Sequence, residues 1–221
     1  MSSIVLLADE RVTQLPVIEC GEALCDLRDV SAIRLDPRKA DPAGAYAHLR
    51  AGVLDRLIVA QTLLPPELHL LVVEGYRPIA LQQRYFAEYH AELRARHPQW
   101  SDLELRAQAS RYIAPPEVAP HVAGAAVDVT LCAEDGTELP MGTPVNASPE
   151  ESDNACYMAA TNISARERDN RNLLSAALTA AGLVNYPTEW WHWSYGDRYW
   201  AFVSSRRAAR YGPVDLPPPA R

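Results

Sequence analysis

The chain has no apolar run approaching the roughly 18–20 residues that a membrane-spanning helix needs. It has no basic stripe either: 21 Lys and Arg stand against 28 Asp and Glu, for a net charge of −7. Nucleic acid and anionic membrane surfaces are therefore poor default partners. Cysteine is scarce. Cys20, Cys25, Cys132 and Cys156 are scattered, and none forms a C-x-x-C pair. Free thiols in a reducing compartment are the expectation, with a small Cys20–Cys25 loop disulfide as the alternative for an exported protein. The opening stretch "MSSIVLLADERVTQLP" lacks the marks of a secretion signal: no Lys or Arg precedes Ile4–Ala8, and that apolar run is short. These absences point to a cytoplasmic protein. Internal repeats, low-complexity tracts and the H-E-x-x-H pattern of helical zinc proteases are also missing.

What remains is 221 residues, 48% of them hydrophobic, enough for one sizeable core. Residues 1–45 mix prolines, charges and short apolar runs, and read as loops with one or two short strands. From Ala45 to Leu64, Leu49, Val53, Leu57 and Ala60 share one helical face, and Pro65 and Pro66 close it. "LHLLVVE" reads as a buried strand ending at Gly75. A helix follows from Ile79 to the edge of Pro98. Ser101 with Glu104, and Ser164 with Glu167, have capping-box spacing and each opens a further helix, the second ending at Gly182. "AAVDVTLCA" is a second strand. The aromatic end "LVNYPTEWWHWSYGDRYWAFV" suggests two antiparallel strands around a Tyr195-Gly196-Asp197 turn, and residues 213–221 read as a loose tail. The mixed order predicts a single α+β domain over 1–221, an antiparallel sheet with helices packed mainly on one side.

Six histidines occur; His48, His69, His90 and His97 sit in ordinary helix or strand contexts, the first and the last two on solvated helix faces. His121 differs, because Pro120 and Gly124 bracket it on a loop that leads into an apolar strand. Asp128 interrupts that strand between Val127 and Val129. A carboxylate buried there costs several kcal/mol unless it is paired or metal-bound; capping a turn or pairing with an arginine is the plainer alternative. "TEWWHWSYGD" packs Trp190, Trp191 and Trp193 around His192, with Glu189 three residues ahead. The tryptophans suit core packing, which is compatible with a rigid site wall. On a flat strand, Glu189 and His192 face opposite ways, so one site can hold both only if the chain bends with Glu189 at the strand's mouth. Two imidazoles and a carboxylate make a catalytic zinc ligand set with one position left for water, and a carboxylate outside that set can move the water's proton. Arg77, in "EGYRP", is either a surface arginine at a strand end or a fixed cation for a developing oxyanion.

"HVAGAAVD" and "EWWH" resemble the H-x-x-G-x-A-x-D and E-x-W-H signatures of the zinc D-alanyl-D-alanine dipeptidases, a family related to D-alanyl-D-alanine carboxypeptidases, phage endolysins and the hedgehog signalling domain. The similarity runs from Leu68 to Ala201 and includes "EGYRP", "MGT" at Met141–Thr143 and Asn170-Arg171. The resemblance implies one zinc per chain on His121, Asp128 and His192, Glu189 as catalytic base, Arg77 on the scissile carbonyl, and a short D-amino-acid peptide as substrate, within peptidoglycan turnover. This sequence departs from the family's pattern at two substrate-binding positions. Ala119 stands where the family has serine, and Asn146 where it has the acidic residue that meets the substrate's ammonium group. An "NFTG"-like segment near "KADPAGAYAHL" is also absent. These departures keep two alternatives open: a relative acting on a neutral or N-capped amide or specialised metabolite, and a zinc-bearing module without catalysis.

Overall fold

The computed structural model describes residues 4–216. The elements in chain order are α1 (Glu10–Thr13), β1 (Leu24–Asp26), β2 (Arg34–Leu35), β3 (His48–Arg50), α2 (Ala51–Thr62), β4 (Leu68–Glu74), α3 (Ile79–Arg96), α4 (Asp102–Ala109), β5 (Ala126–Ala133), α5 (Ala165–Ala180), β6 (Val184–Asn185), β7 (His192–Ser194) and α6 (Arg198–Val203). The main sheet has the order β2-β4-β5-β7-β6. Only β2–β4 is parallel; the other pairings are antiparallel. β1 and β3 form a separate antiparallel pair. The fold is α+β with a mostly antiparallel sheet.

Strand β5 organises the whole. Seven of its eight residues are buried, yet it alternates in chemistry. Val127, Val129 and Leu131 join Leu70 and Val72 of β4 in the main core, with Leu57 of α2 and Leu174 and Leu178 of α5. Side chains alternate along a strand, so Asp128 and Thr130 point to the other face. α3 and α4 build a smaller cluster of their own around Tyr89, Leu93 and Leu105.

Both anticipated capping boxes form: Ser101 and Ser164 each accept from the backbone N–H three residues on, and Glu104 and Glu167 reach back to the cap. Ser164→Ala, which removes the oxygen that accepts from the Glu167 N–H, should cost about 1 kcal/mol, read as a melting point lower by about 2–4 °C. α5 also carries Arg171, buried and without an ion-pair partner among the described residues. Its guanidinium donates to the carbonyls of Met141, Ala155 and Tyr157 at 2.7–2.8 Å, which ties down the long loop before the helix. Burial draws its pKa down to about 10, and it stays charged at neutral pH.

Four sequence expectations need correction. The first long helix begins at Ala51, because residues 45–50 form a 3-10 turn and β3, which pairs with β1. His48 accordingly lies on a strand, with its Nδ1 donating to the Gly44 carbonyl at 2.8 Å. At the aromatic end, β7 pairs with β6 and β5, and among the described residues no strand follows Tyr195-Gly196-Asp197. Residues 198–203 are helical instead, because the Asp197 side chain caps the N–H groups of Tyr199 and Trp200. The start of the tail is tied down: the Val214 N–H donates to Val122, and the Tyr76 hydroxyl donates to the Val214 carbonyl. The tail beyond Leu216 lies outside the described residues.

Candidate metal centre

Register builds the site. Across three strands Glu74 faces Asp128, and Asp128 faces His192. Residues directly opposite in antiparallel strands project from the same face, so the three side chains form one row on the face away from the main core. His121 arrives from a 3-10 turn at Pro120–Ala123. Two glycines shape the backbone around it. A Cβ on Gly75 would come within 2.4 Å of the His48 carbonyl, so glycine lets the exit of β4 lie against β3, and Gly124 ends the 3-10 turn at φ +62°. The exit of β4 is also bonded to the His121 turn: the Arg77 N–H donates to the His121 carbonyl, and His121 Nδ1 donates to the Gly75 carbonyl at 2.6 Å. A carbonyl can only accept, so Nδ1 carries the proton and Nε2 presents a lone pair.

The three inward atoms are close. His121 Nε2 and His192 Nδ1 are 3.1 Å apart, and Asp128 Oδ1 is 3.3 Å from the first and 3.1 Å from the second. Zinc bonds of about 2.0–2.2 Å at tetrahedral angles space neighbouring ligand atoms about 3.3–3.5 Å apart. The cluster is within a few tenths of an ångström of that spacing, is almost fully buried, and offers two nitrogens and one carboxylate oxygen. These residues fit a zinc ion. Burial alone would raise the pKa of Asp128, but His121 and His192 outweigh it and hold the carboxyl below its ordinary range. Burial lowers the pKa of His192, although Asp128 pulls the other way, and a neutral imidazole is the ligating form.

Glu189 lies in the turn before β7, its Oε2 3.7 Å from His192 Nδ1. The bend required by the three-residue spacing is there: the His192 N–H donates back to the Glu189 carbonyl, and Asn185 Nδ2 donates to the carbonyls of both residues. Trp190 fixes the turn from behind, its indole N–H donating to Thr143 Oγ1 at 2.8 Å and its backbone N–H to the Cys156 carbonyl. Burial, and then the Asp128 charge, push the Glu189 pKa well above that of an ordinary carboxyl. Arg77 is only 7% exposed. It grips Glu74 with Nε and Nη2 at 2.7 and 2.8 Å and donates to Gln82 through Nη1 at 2.7 Å. The surface-arginine alternative is therefore wrong. Sequence reasoning missed Glu74, Gln82 and Asn185. Glu74 lies inside the quoted "EGYRP", and its place at the end of a buried strand was the available signal.

One narrow cleft brings all of this together. His121, Asp128, His192, Glu189, Arg77, Ala119 and Asn146 line it, with Tyr112 and Tyr186 between them. Ala119 is buried at the start of the His121 turn, and Asn146 adopts a left-handed backbone, φ +65°. The family description D-ala-D-ala dipeptidase matches residues 44–208. The chain belongs to the D-ala-D-ala dipeptidase family. Membership makes it a metallopeptidase with zinc as its metal. It is 32% identical to the D-alanyl-D-alanine dipeptidase of Synechocystis sp., over 91% of this chain and 95% of that one. To the D-alanyl-D-alanine dipeptidase of Enterococcus faecium it is 37% identical over 35% of this chain and 37% of the other. A solved structure of VanYB in complex with D-alanine-D-alanine is 18% identical, with a TM-score of 0.43 over 77% of this chain and 87% of the other. Within the peptidase no helix among the described residues is long and apolar enough to cross a membrane, and all four cysteines are free.

Proposed function

We propose that this peptidase hydrolyses the amide bond of D-alanyl-D-alanine, with the whole chain acting as one catalytic domain. The observation that carries the reading is the convergence of two imidazole nitrogens and one carboxylate oxygen in a cleft that also holds a separate carboxylate and a fixed cation. His121, Asp128 and His192 are the zinc ligands in this reading. Bound zinc supplies Lewis acidity, polarising a peptide carbonyl and lowering the pKa of water toward about 7.

The remaining work belongs to the chain. Glu189 takes the proton of the attacking water and delivers it to the leaving amine. The water oxygen joins the carbonyl carbon, the C–N bond breaks, and the amine leaves with the transferred proton. Three of the five N–H groups of Arg77 are committed to Glu74 and Gln82, which leaves two on a side chain that cannot swing. A cation held still in this way stabilises charge developing on the carbonyl oxygen without reorganising. Ala119 and Asn146 contribute the substrate-facing wall. Free thiols at Cys20, Cys25, Cys132 and Cys156 support a cytoplasmic setting, and peptidoglycan turnover is the process that such a reaction serves.

The test is to strip the protein with a chelator, reload it with zinc, and measure D-alanine released from D-alanyl-D-alanine, free or at the end of a longer peptide. Activity should vanish on chelation and return with zinc. A zinc-reloaded protein that releases no D-alanine from either form rules the reading out.

A further inference from the structure

The catalytic cleft adjoins a second, wider cavity of about 380 Å³, and Arg77, Tyr112, Ile113 and Asn146 line both. At the passage the Tyr112 hydroxyl donates to the Asn146 carbonyl at 2.9 Å. One wall of the outer cavity is a single face of α3, with Tyr85, Glu88, Tyr89, Glu92 and Arg96 at helical spacing. The other wall includes Ser148 and Glu151.

Charge separates the two spaces. Among the described residues the inner cleft has two carboxylates, Asp128 and Glu189. Asp128 faces two histidines, and Glu189 has the proton-transfer role. Neither is free to pair with a substrate cation, and Asn146 brings only an amide to the rim. In a free dipeptide, the ammonium nitrogen is one Cα away from the carbon under attack, about 2.5 Å by standard bond lengths. It must therefore enter the inner cleft or stand at its rim. There it would lose water, find no free carboxylate, and lie near a divalent cation. An amide nitrogen in that position carries no charge, so it needs no carboxylate, is not repelled by the cation, and loses far less than an ammonium on leaving water. The outer cavity is lined by Glu88, Glu92 and Glu151 against Lys39, Arg96 and Arg77, and the charge of Arg77 is already met by Glu74. Glu88 and Glu92 reach Arg84 and Arg96 only at 3.9 Å, so this space can accept an amine-bearing group.

Resting on the hydrolase reading above, we propose that the preferred substrate is a peptide extended on the amino side of the cleaved dipeptide unit. Its upstream residue passes between the hydrogen-bonded Tyr112–Asn146 pair and Arg77 into the outer cavity. Asn146 is then a specificity-determining residue that favours an amide over an ammonium.

The experiment compares kcat/KM of the zinc-loaded full chain on four substrates: D-alanyl-D-alanine, its N-acetyl derivative, a lysyl-D-alanyl-D-alanine tripeptide, and a D-alanyl-D-alanyl-glycine extended on the opposite side. The expected order is tripeptide, then N-acetyl dipeptide, then free dipeptide, with at least about tenfold between the first and the last. Glu92→Trp, which narrows the outer cavity and removes one of its carboxylates, should reduce the advantage of the tripeptide over the N-acetyl dipeptide several-fold. The inference is overturned, with the hydrolase reading intact, if the free dipeptide or the glycine-extended peptide is best. It is likewise overturned if the tripeptide is no better than the N-acetyl form, or if Glu92→Trp leaves that advantage unchanged. No turnover of any substrate overturns both.

Discussion

Glu189→Gln should bind zinc at full stoichiometry and lose about 10²–10⁴ in kcat. The two halves of that result come from different distances. The three candidate ligand atoms lie 3.1–3.3 Å from one another, whereas the nearest approach of Glu189 to His192 Nδ1 is 3.7 Å. The amide keeps the shape of the side chain, so the Asn185 bonds to the turn, which use backbone carbonyls, are untouched. What disappears is the ability to take a proton. The substitution should not lower the melting temperature. Glu189 is buried near Asp128, and both burial and that neighbouring charge oppose its ionisation, so a neutral amide relieves a like-charge contact. Loss of rate without loss of metal or stability would separate the base from a structural role. Elemental analysis, a melting curve and a D-alanine release assay together check it. A Gln variant with wild-type turnover would take Glu189 out of the proton-transfer role.

Much of this site could be read in the sequence because its parts break local rules. Asp128 stands inside an apolar strand, and His121 sits on a loop bracketed by proline and glycine. Glu189 and His192 have a spacing that a straight strand cannot use. Each is a conflict between local preference and chemistry, the pattern expected at a functional site. The helices with capping boxes were legible for a related reason, since the signal lies within four residues. Less legible was whatever depended on partners distant in sequence. Register decides that Glu74, Asp128 and His192 stand side by side, and nothing within any one strand specifies the other two. Residues 48–50 leave the helical pattern because β1 offers them strand pairing. The aromatic run 198–203 has strand-like composition, yet Asp197 caps it as a helix, and a cap outweighs a weak β preference at a short segment. The anchoring of Arg77 was hidden for a different reason: "EGYRP" contains both members of the pair, but the sequence does not show that the chain turns at the end of β4 and brings Glu74 onto the guanidinium.

Asp128→Asn should abolish stoichiometric zinc binding while leaving a folded chain. Asp128 supplies the single anionic ligand of the candidate set, and its carboxyl is held ionised by the two imidazoles. Asparagine preserves volume and strand pairing in β5, where the backbone bonds to β4 and β7 persist. It offers zinc only a neutral carbonyl. Loss of an outer partner of a ligand typically costs 10–100-fold in affinity, and loss of a ligand's charge should exceed that. Thermal stability gives a readout independent of catalysis. A ligand at about 1,000 times its Kd stabilises by about 4 kcal/mol, which for a chain of this size corresponds to a rise of about 8–16 °C. The wild-type protein should show that rise when zinc is added to the chelated form, and Asp128→Asn should show almost none. The plainer view of Asp128, as a buried acid that merely pairs with histidine, makes the opposite prediction. On that view the variant loses stability without metal, because two imidazoles lose their charged partner, and its response to zinc survives. The zinc-induced shift in the variant therefore decides between a ligand and a structural ion pair, even if every assay for substrate fails.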